Sequence, residues 1–221
     1  MPPWSRESTY AGAPVPRRSV RFTLVVAAAF TLAACSGSTT NTEAPPPQPT
    51  APGVQEETSA EGVLAPPDKA QGAFTYDPAL APEGARLSVE VRESDGSTEV
   101  QLDVSGLLPN RGYAAHVHER PCGPTGAAAG PHYQHQVDPA ATPDKPSSDP
   151  AYANPQNEIW LDLRTDAGGN SQIRSTVPFV FSDRAPASVV IHEAEATATE
   201  PGKAGTAGAR IACLDVPFDE T

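Results

Sequence analysis

Leu87-Ser88-Val89-Glu90-Val91-Arg92-Glu93-Ser94-Asp95-Gly96-Ser97-Thr98-Glu99-Val100-Gln101-Leu102-Asp103-Val104 is the stretch on which the fold turns. Leu87, Val89 and Val91 alternate with polar residues, Asp95-Gly96 supplies a tight turn, and Val100, Leu102 and Val104 alternate again beyond it. Side chains two apart share one face of a strand, so this pattern predicts a hairpin with one face buried against a second sheet. Similar short segments lie at 71–76, 85–92, 98–105, 112–119, 157–164, 171–178, 188–193 and 209–216, separated by turn-rich sequence. Eight short strands without a helical period predict an all-β fold, an antiparallel sandwich or flattened barrel. A second hairpin is expected from Ile159, Leu161 and Leu163 through Gly168-Gly169 into Ile173 and Val177. Trp160 has the opposite parity and is expected on an outer surface.

Residues 122–153 break the pattern. They are filled with Gly, Pro, Ala, Ser and Asp and contain His132 and His135. Loops of this length are usually functional or mobile, so this one is a candidate site wall.

The amino terminus reads differently. Arg17, Arg18 and Arg21 precede an apolar run at 22–34, too short to span a bilayer, that ends in Leu32-Ala33-Ala34-Cys35. This is the pattern of a secretory leader, and its ending resembles the bacterial lipoprotein processing motif, in which the cysteine is lipidated and becomes the new terminus. Residues 36–70 are rich in Pro, Ser, Thr, Glu and Ala and predict an extended tether. The expected organisation is a leader at 1–34, a lipidated Cys35 and disordered tether at 35–70, and a folded domain at 71–221. The protein is then exported and held by a lipid membrane at the extracytoplasmic face.

The chain carries 15 basic and 27 acidic side chains, a formal charge of −12. Removing residues 1–34 takes away four arginines and Glu7, leaving 11 against 26 and a charge of −15. That balance argues against nucleic acid as a partner and disfavours long-range attraction of an anionic substrate unless a local cation opposes it. With Cys35 lipidated, Cys122 and Cys213 remain. Two cysteines in an exported domain favour one disulfide, a buried free pair being the alternative.

His116 and His118 are two apart on a predicted strand, so both imidazoles emerge on one face while Tyr113, Ala115 and Val117 point into the sandwich. His192 repeats the arrangement on a later strand, with Val189 and Ile191 opposite its face. The three converge if those strands lie close. Neutral imidazole suits copper, and the alternative is a scatter of surface histidines.

Gly106-Leu107-Leu108-Pro109-Asn110-Arg111-Gly112-Tyr113 followed by His116-Val117-His118-Glu119 resembles the copper-ligand strand of the copper/zinc superoxide dismutase family and its lead-in. Ala129-Gly130-Pro131-His132-Tyr133 is similar to the segment with that family's metal-bridging histidine, and Ser188-Val189-Val190-Ile191-His192-Glu193 to the strand with its last copper ligand. Gly205-Thr206-Ala207-Gly208-Ala209-Arg210-Ile211-Ala212-Cys213 resembles the closing segment, which carries an active-site arginine and a disulfide cysteine. The pieces stand in family order across 71–216.

The resemblance implies an eight-stranded Greek-key β-sandwich, copper held by His116, His118, His132 and His192, and a Cys122–Cys213 disulfide. It implies copper-dependent dismutation of superoxide to oxygen and peroxide, with Arg210 positioning the anion and His132 taking up a proton when copper is reduced. A copper donor is then a partner. The alternative is an extracytoplasmic copper-binding or copper-delivery protein on the same fold.

The zinc side of the family pattern is incomplete. Only His135 follows His132 before His192, and near 157–159, where the family places its aspartate, the sequence offers Glu158 at best and no clear counterpart. His135 is left as a second-metal ligand, as a solvated residue or a neighbour hydrogen-bonding a ligand ring, or as an alternative copper ligand. His135, Asp138, Asp144, Asp149 and Glu158 are the residues from which a zinc site of altered geometry could be built. Glu195 is an imperfect substitute for the acidic pair that normally follows the last copper ligand. A copper-dependent relative with little or no zinc is expected.

Overall fold

The structure, a computed structural model, describes residues 56–142 and 145–218. The leader, Cys35, the first part of the tether and Asp144 lie outside the described residues.

The strands in chain order are β1 (Glu56–Val63), β2 (Ala73–Thr75), β3 (Arg86–Ser94), β4 (Ser97–Ser105), β5 (Gly112–Tyr113), β6 (Ala115–His118), β7 (Leu163–Arg164), β8 (Ser171–Val177), β9 (Ser188–His192) and β10 (Arg210–Asp215). They form two four-stranded antiparallel sheets, β1-β3-β4-β8 and β2-β10-β9-β6, with a small β5-β7 pair beside them. The result is a Greek-key β-sandwich. Among the described residues no helix is long and apolar enough to cross a membrane.

The first hairpin forms in the expected register. Leu87 faces Val104, Val89 faces Leu102 and Val91 faces Val100, and the strands close through Asp95 and Gly96. Both turn residues have positive φ, 50° and 76°, the conformation that matches the twist of a two-residue hairpin and that Asp-Gly adopts readily. These six apolar side chains meet Val117 of β6, Val189 and Ile191 of β9 and Leu214 of β10 between the sheets. Each Val or Leu buried there contributes roughly 1.5–3 kcal/mol.

Two sequence expectations are corrected. The stretch read as tether to residue 70 contains β1, paired with β3 from Glu56↔Glu93 to Val63↔Arg86. Its residues show no apolar alternation, but the open edge of β3 supplies backbone groups that need partners, and an edge strand tolerates polar side chains. The second hairpin does not form as a pair. β8 lies on β4, from Thr98↔Val177 to Val104↔Ser171, whereas β7 pairs with β5. Leu163 stays in the core, and the chain then crosses to the free edge of β4. Of the strand read at 157–164 only Leu163–Arg164 is regular; Trp160 makes an isolated bridge to His116.

A smaller apolar cluster of Ala129, Val190 and Cys213, with Phe74, Tyr76 and Cys122 against it, forms apart from the main core. It seals the loop that starts at Cys122 onto the outer face of the β2-β10-β9-β6 sheet, and the Cys122–Cys213 disulfide joins loop to β10.

Candidate metal centre

β6 and β9 are neighbours, with His116 opposite Val190 and His118 opposite Ser188. Residues facing each other across a ladder share a side, so His116, His118 and His192 all leave the sheet on the face away from the core. His132 reaches the same place from the loop, which touches the end of β6 through an isolated His118↔His132 bridge. One nitrogen from each of the four rings lies within 4.8 Å of the others. A single ion with Zn–N-like bonds of about 2.0–2.1 Å spans such a set after a small contraction.

Hydrogen bonding decides which nitrogen of each ring faces inward. His118 Nδ1 donates to Gly130 O at 3.0 Å, and His192 Nδ1 lies 3.5 Å from Gly208 O. Carbonyls only accept, so both Nε2 atoms keep a lone pair. They stand 3.3 Å apart, where two lone pairs repel unless a cation lies between them. His132 Nδ1 donates to Glu158 Oε2 at 2.9 Å. Thr197 Oγ1 donates to Asp162 Oδ1 and accepts from His116 Nε2, both at 2.7 Å. That leaves His116 Nδ1 buried with no partner.

Burial holds the His116 and His118 rings well below the ordinary imidazole pKa, with the neighbouring histidines as a second cause. The same cause lowers His192 to about 3. These rings are neutral at pH 7. A set of neutral imidazoles, each turning its inner lone pair to one point, fits copper, and the unpartnered His116 Nδ1 is the polar atom an ion there would satisfy.

Arg210 reaches this face through a register shift between β10 and β9. It sits opposite His192, while Ala212 is opposite Ile191, so a bulge at Ile211 re-aims the arginine. Its Nη1 donates to Gly126 O at 2.8 Å, and burial, then the charge of Arg120, lowers its pKa. A cavity of about 640 Å³ opens beside His132, His192 and Glu158 and is bordered by Arg120 and Arg210. A larger open groove of about 940 Å³ runs over the β1-β3-β4 side of the other sheet and contains no histidine.

Among the described residues, those named for a second metal are not brought together. His135 is exposed and stacks on Phe179, with ring centres 4.3 Å apart and planes 5° apart. Asp138 accepts from Ser147 Oγ and Ala140 N, and Asp149 accepts from Ala151 N. Glu195 is exposed and pairs with Arg164 at 3.5 Å. Among the described residues, the four-histidine set is the only group of three or more His, Cys, Asp or Glu that converges in this way.

Three residues around the centre carried no role in the sequence reading. Asp162 and Thr197 fix His116, and Trp160 lies edge-on to the His116 ring at 5.8 Å while its Nε1 donates to Glu158 Oε2 at 2.7 Å. The signal that could have found Trp160 and Asp162 is parity, since with Glu158 they alternate with the buried Ile159, Leu161 and Leu163; Thr197 has no such signal. The half-buried Trp160 is therefore a wall of the centre, not a cover of an outer surface.

A family model described as copper/zinc superoxide dismutase (SODC) matches residues 86–214. Among solved structures, the chain is similar to a Cu/Zn superoxide dismutase from Brucella abortus, with 20% identity and a TM-score of 0.48 over 74% of this chain and 100% of that one. It is also similar to a double mutant of a SOD-like protein from Bacillus subtilis, with 20% identity and a TM-score of 0.45 over 58% and 87% of the two chains. No curated protein matches it.

Proposed function

The chain belongs to the copper/zinc superoxide dismutase family, and from that premise we propose that it dismutates superoxide with copper at the outer face of the cell membrane. The observation that carries this reading is the set of inward lone pairs on His116, His118, His132 and His192, one of them on a buried atom without a partner. When bound, copper supplies one-electron chemistry, oxidising one superoxide to oxygen and reducing a second, with two protons, to hydrogen peroxide.

The chain's own residues do the rest. His116, His118 and His192 orient the centre from adjacent strands. Arg210 stays cationic and offers directed donors to a small anion beside His192. His132 is the ring that takes and releases a proton at Nε2, while Glu158 holds its Nδ1–H so that it stays in place. Glu158 stands where a second ion would otherwise orient that ring, and this supports a copper enzyme that works without zinc. Residues 1–34 serve as leader and Cys35 as the lipidated residue, with the folded part beginning by Glu56.

Copper-loaded mature protein is expected to accelerate superoxide decay, and His118→Ala or His192→Ala to abolish most of the effect. Elemental analysis is expected to find one copper and little zinc per chain. Stoichiometric copper with decay no faster than free-ion controls sinks dismutation and leaves a copper-binding protein. Near-stoichiometric zinc in extensively dialysed active protein sinks the zinc-free reading. Cys35→Ser is expected to release the protein from membranes; unchanged attachment contradicts the anchor.

A further inference from the structure

Arg184 stands between β8 and β9, on a segment fixed at both ends. Thr98 Oγ1 donates to Phe179 O at 2.7 Å, and Ala187 N donates to His118 O at 2.9 Å. Between these points the rings of Phe179 and Phe181 lie against Tyr133, their centres 6.3 and 5.3 Å from its own. From this bridge the Arg184 side chain reaches onto the loop that carries His132.

Its contacts fall on the chain neighbours of two histidines of the centre. Nη2 donates to Gln134 O at 2.6 Å, and Nη1 donates to Glu119 Oε1 at 3.2 Å. The guanidinium carbon lies over the Tyr133 ring, 5.1 Å from its centre, and Tyr133 Oη donates in return to Arg184 O at 3.2 Å. Glu119 follows His118, while Tyr133 and Gln134 follow His132. One planar group thus joins the end of β6 to the loop. The ion pair with Glu119 leaves 42% and 32% of its two side chains exposed, and such pairs contribute little alone. The bond to Gln134 differs. Gln134 is buried, and among the described residues Arg184 Nη2 is the one hydrogen-bond donor to its carbonyl; removing that donor strands a polar group that water does not readily reach.

From Gln134 the connection runs on to the imidazole. Gln134 Nε2 donates to Glu158 Oε1 at 2.8 Å while its Oε1 accepts from Asp138 N at 3.1 Å, so both ends of the amide are committed and its orientation is fixed. Glu158 Oε2 then accepts from His132 Nδ1 at 2.9 Å. The backbone on either side of His132 is tied to β6, by Glu119 N to Pro131 O at 3.2 Å and Tyr133 N to Val117 O at 2.9 Å. Those bonds place the residue but leave its ring free to rotate. The rotation is set by Glu158, and Glu158 is held by Trp160 and Gln134.

We propose that Arg184 is a positioning residue for His132, holding the imidazole toward the centre through Gln134 and Glu158. That the ion there is copper rests on the proposed function; the line of hydrogen bonds does not. An arginine suits the place because its fork meets a carbonyl and a carboxylate together while its face lies on an aromatic ring, which a lysine cannot reproduce.

The test uses the full chain with its disulfide intact. In copper-free protein labelled with nitrogen-15 histidine, NMR follows exchange of the His132 Nδ1 proton with water, which reports how often Glu158 lets it go. R184M keeps an apolar stem over Tyr133 and removes both donors. It is expected to speed this exchange roughly tenfold and to weaken copper binding, in competition with a chelator, about threefold to tenfold. R184K should recover part of both. R92M, which removes an ion-pairing arginine from the other sheet, is the control for lost surface charge and should change neither. Wild-type exchange of the His132 proton in R184M overturns the proposal, as do equal changes in R92M. Faster exchange in R184M, restored in part by R184K, in a protein that does not dismutate superoxide keeps the positioning role and removes the enzyme reading.

Discussion

The Nδ1–H of His132 donates to Glu158 Oε2 at 2.9 Å, and the same carboxylate takes Trp160 Nε1 at 2.7 Å and Gln134 Nε2 at 2.8 Å. Three donors converge on one buried acid, so Glu158 fixes the loop histidine from behind. A glutamine cannot accept all three. Glu158→Gln is expected to weaken copper binding about 10- to 100-fold, the usual cost of losing a partner behind a metal-ligating histidine. Competition with a copper chelator measures it, and the quenching of Trp160 fluorescence by Cu(II) gives a second readout. Unchanged affinity would show that His132 is held by something else.

On the opposite side, His116 is held in series, through Thr197 to Asp162. Thr197→Val keeps the shape and removes the relay. It is expected to cost about tenfold in copper affinity, as is Asp162→Asn. Because the two act through one chain of hydrogen bonds, the double variant should lose little more than either single one. Fully additive losses in the chelator assay contradict a series connection.

The low imidazole pKa values fix the direction of acid sensitivity. In the unfolded chain His116, His118 and His192 take up protons near pH 6.5, but in the folded copper-free protein burial keeps them neutral to much lower pH, to about 3 for His192. The unfolded form therefore binds more protons between those values, and stability is present above pH 6.5 and lost as pH falls toward 3. The urea midpoint of copper-free protein should drop across this window. His192→Asn should show a shallower dependence; an identical slope would exclude His192 as a source.

Cys122–Cys213 joins cysteines 91 positions apart. Replacing both cysteines by serine is expected to cost about 2–5 kcal/mol of stability, visible as a lower thermal midpoint. The loop it ties down also supplies Gly126 O to Arg210 and Gly130 O to His118. Copper should therefore leave the variant faster than the parent, beyond what the midpoint shift alone explains. A variant with a lower midpoint and an unchanged release rate separates the two roles.

What was legible in the sequence followed from period. Leu87 to Val104 specified a buried hairpin because alternation and an Asp-Gly turn agree, and His116, His118 and His192 announced a shared face for the same reason. β1 was silent because Glu56-Glu57-Thr58-Ser59 offers no alternation; its place is decided by the open edge of β3. The pairing of β8 with β4 was hidden because two free edges compete for one strand, and local turn residues do not say which wins. Glu158 and Asp162 share a parity, but what each holds was hidden, because the partner is distant in sequence: Glu158 lies 26 positions from His132, and Asp162 acts through Thr197, which lies 81 positions from His116 and has no local spacing to mark it.

His116 and His118 are fully enclosed and His192 nearly so, while the His132 side chain keeps 16% of its surface in contact with solvent. An ion seated among them has strands and loop on three sides and one imidazole on the fourth. Its escape then depends less on how tightly it is held than on how often that single ring swings aside. Residence time and affinity become separate properties of the centre, and a change behind His132 is expected to shorten the first by more than its cost in the second.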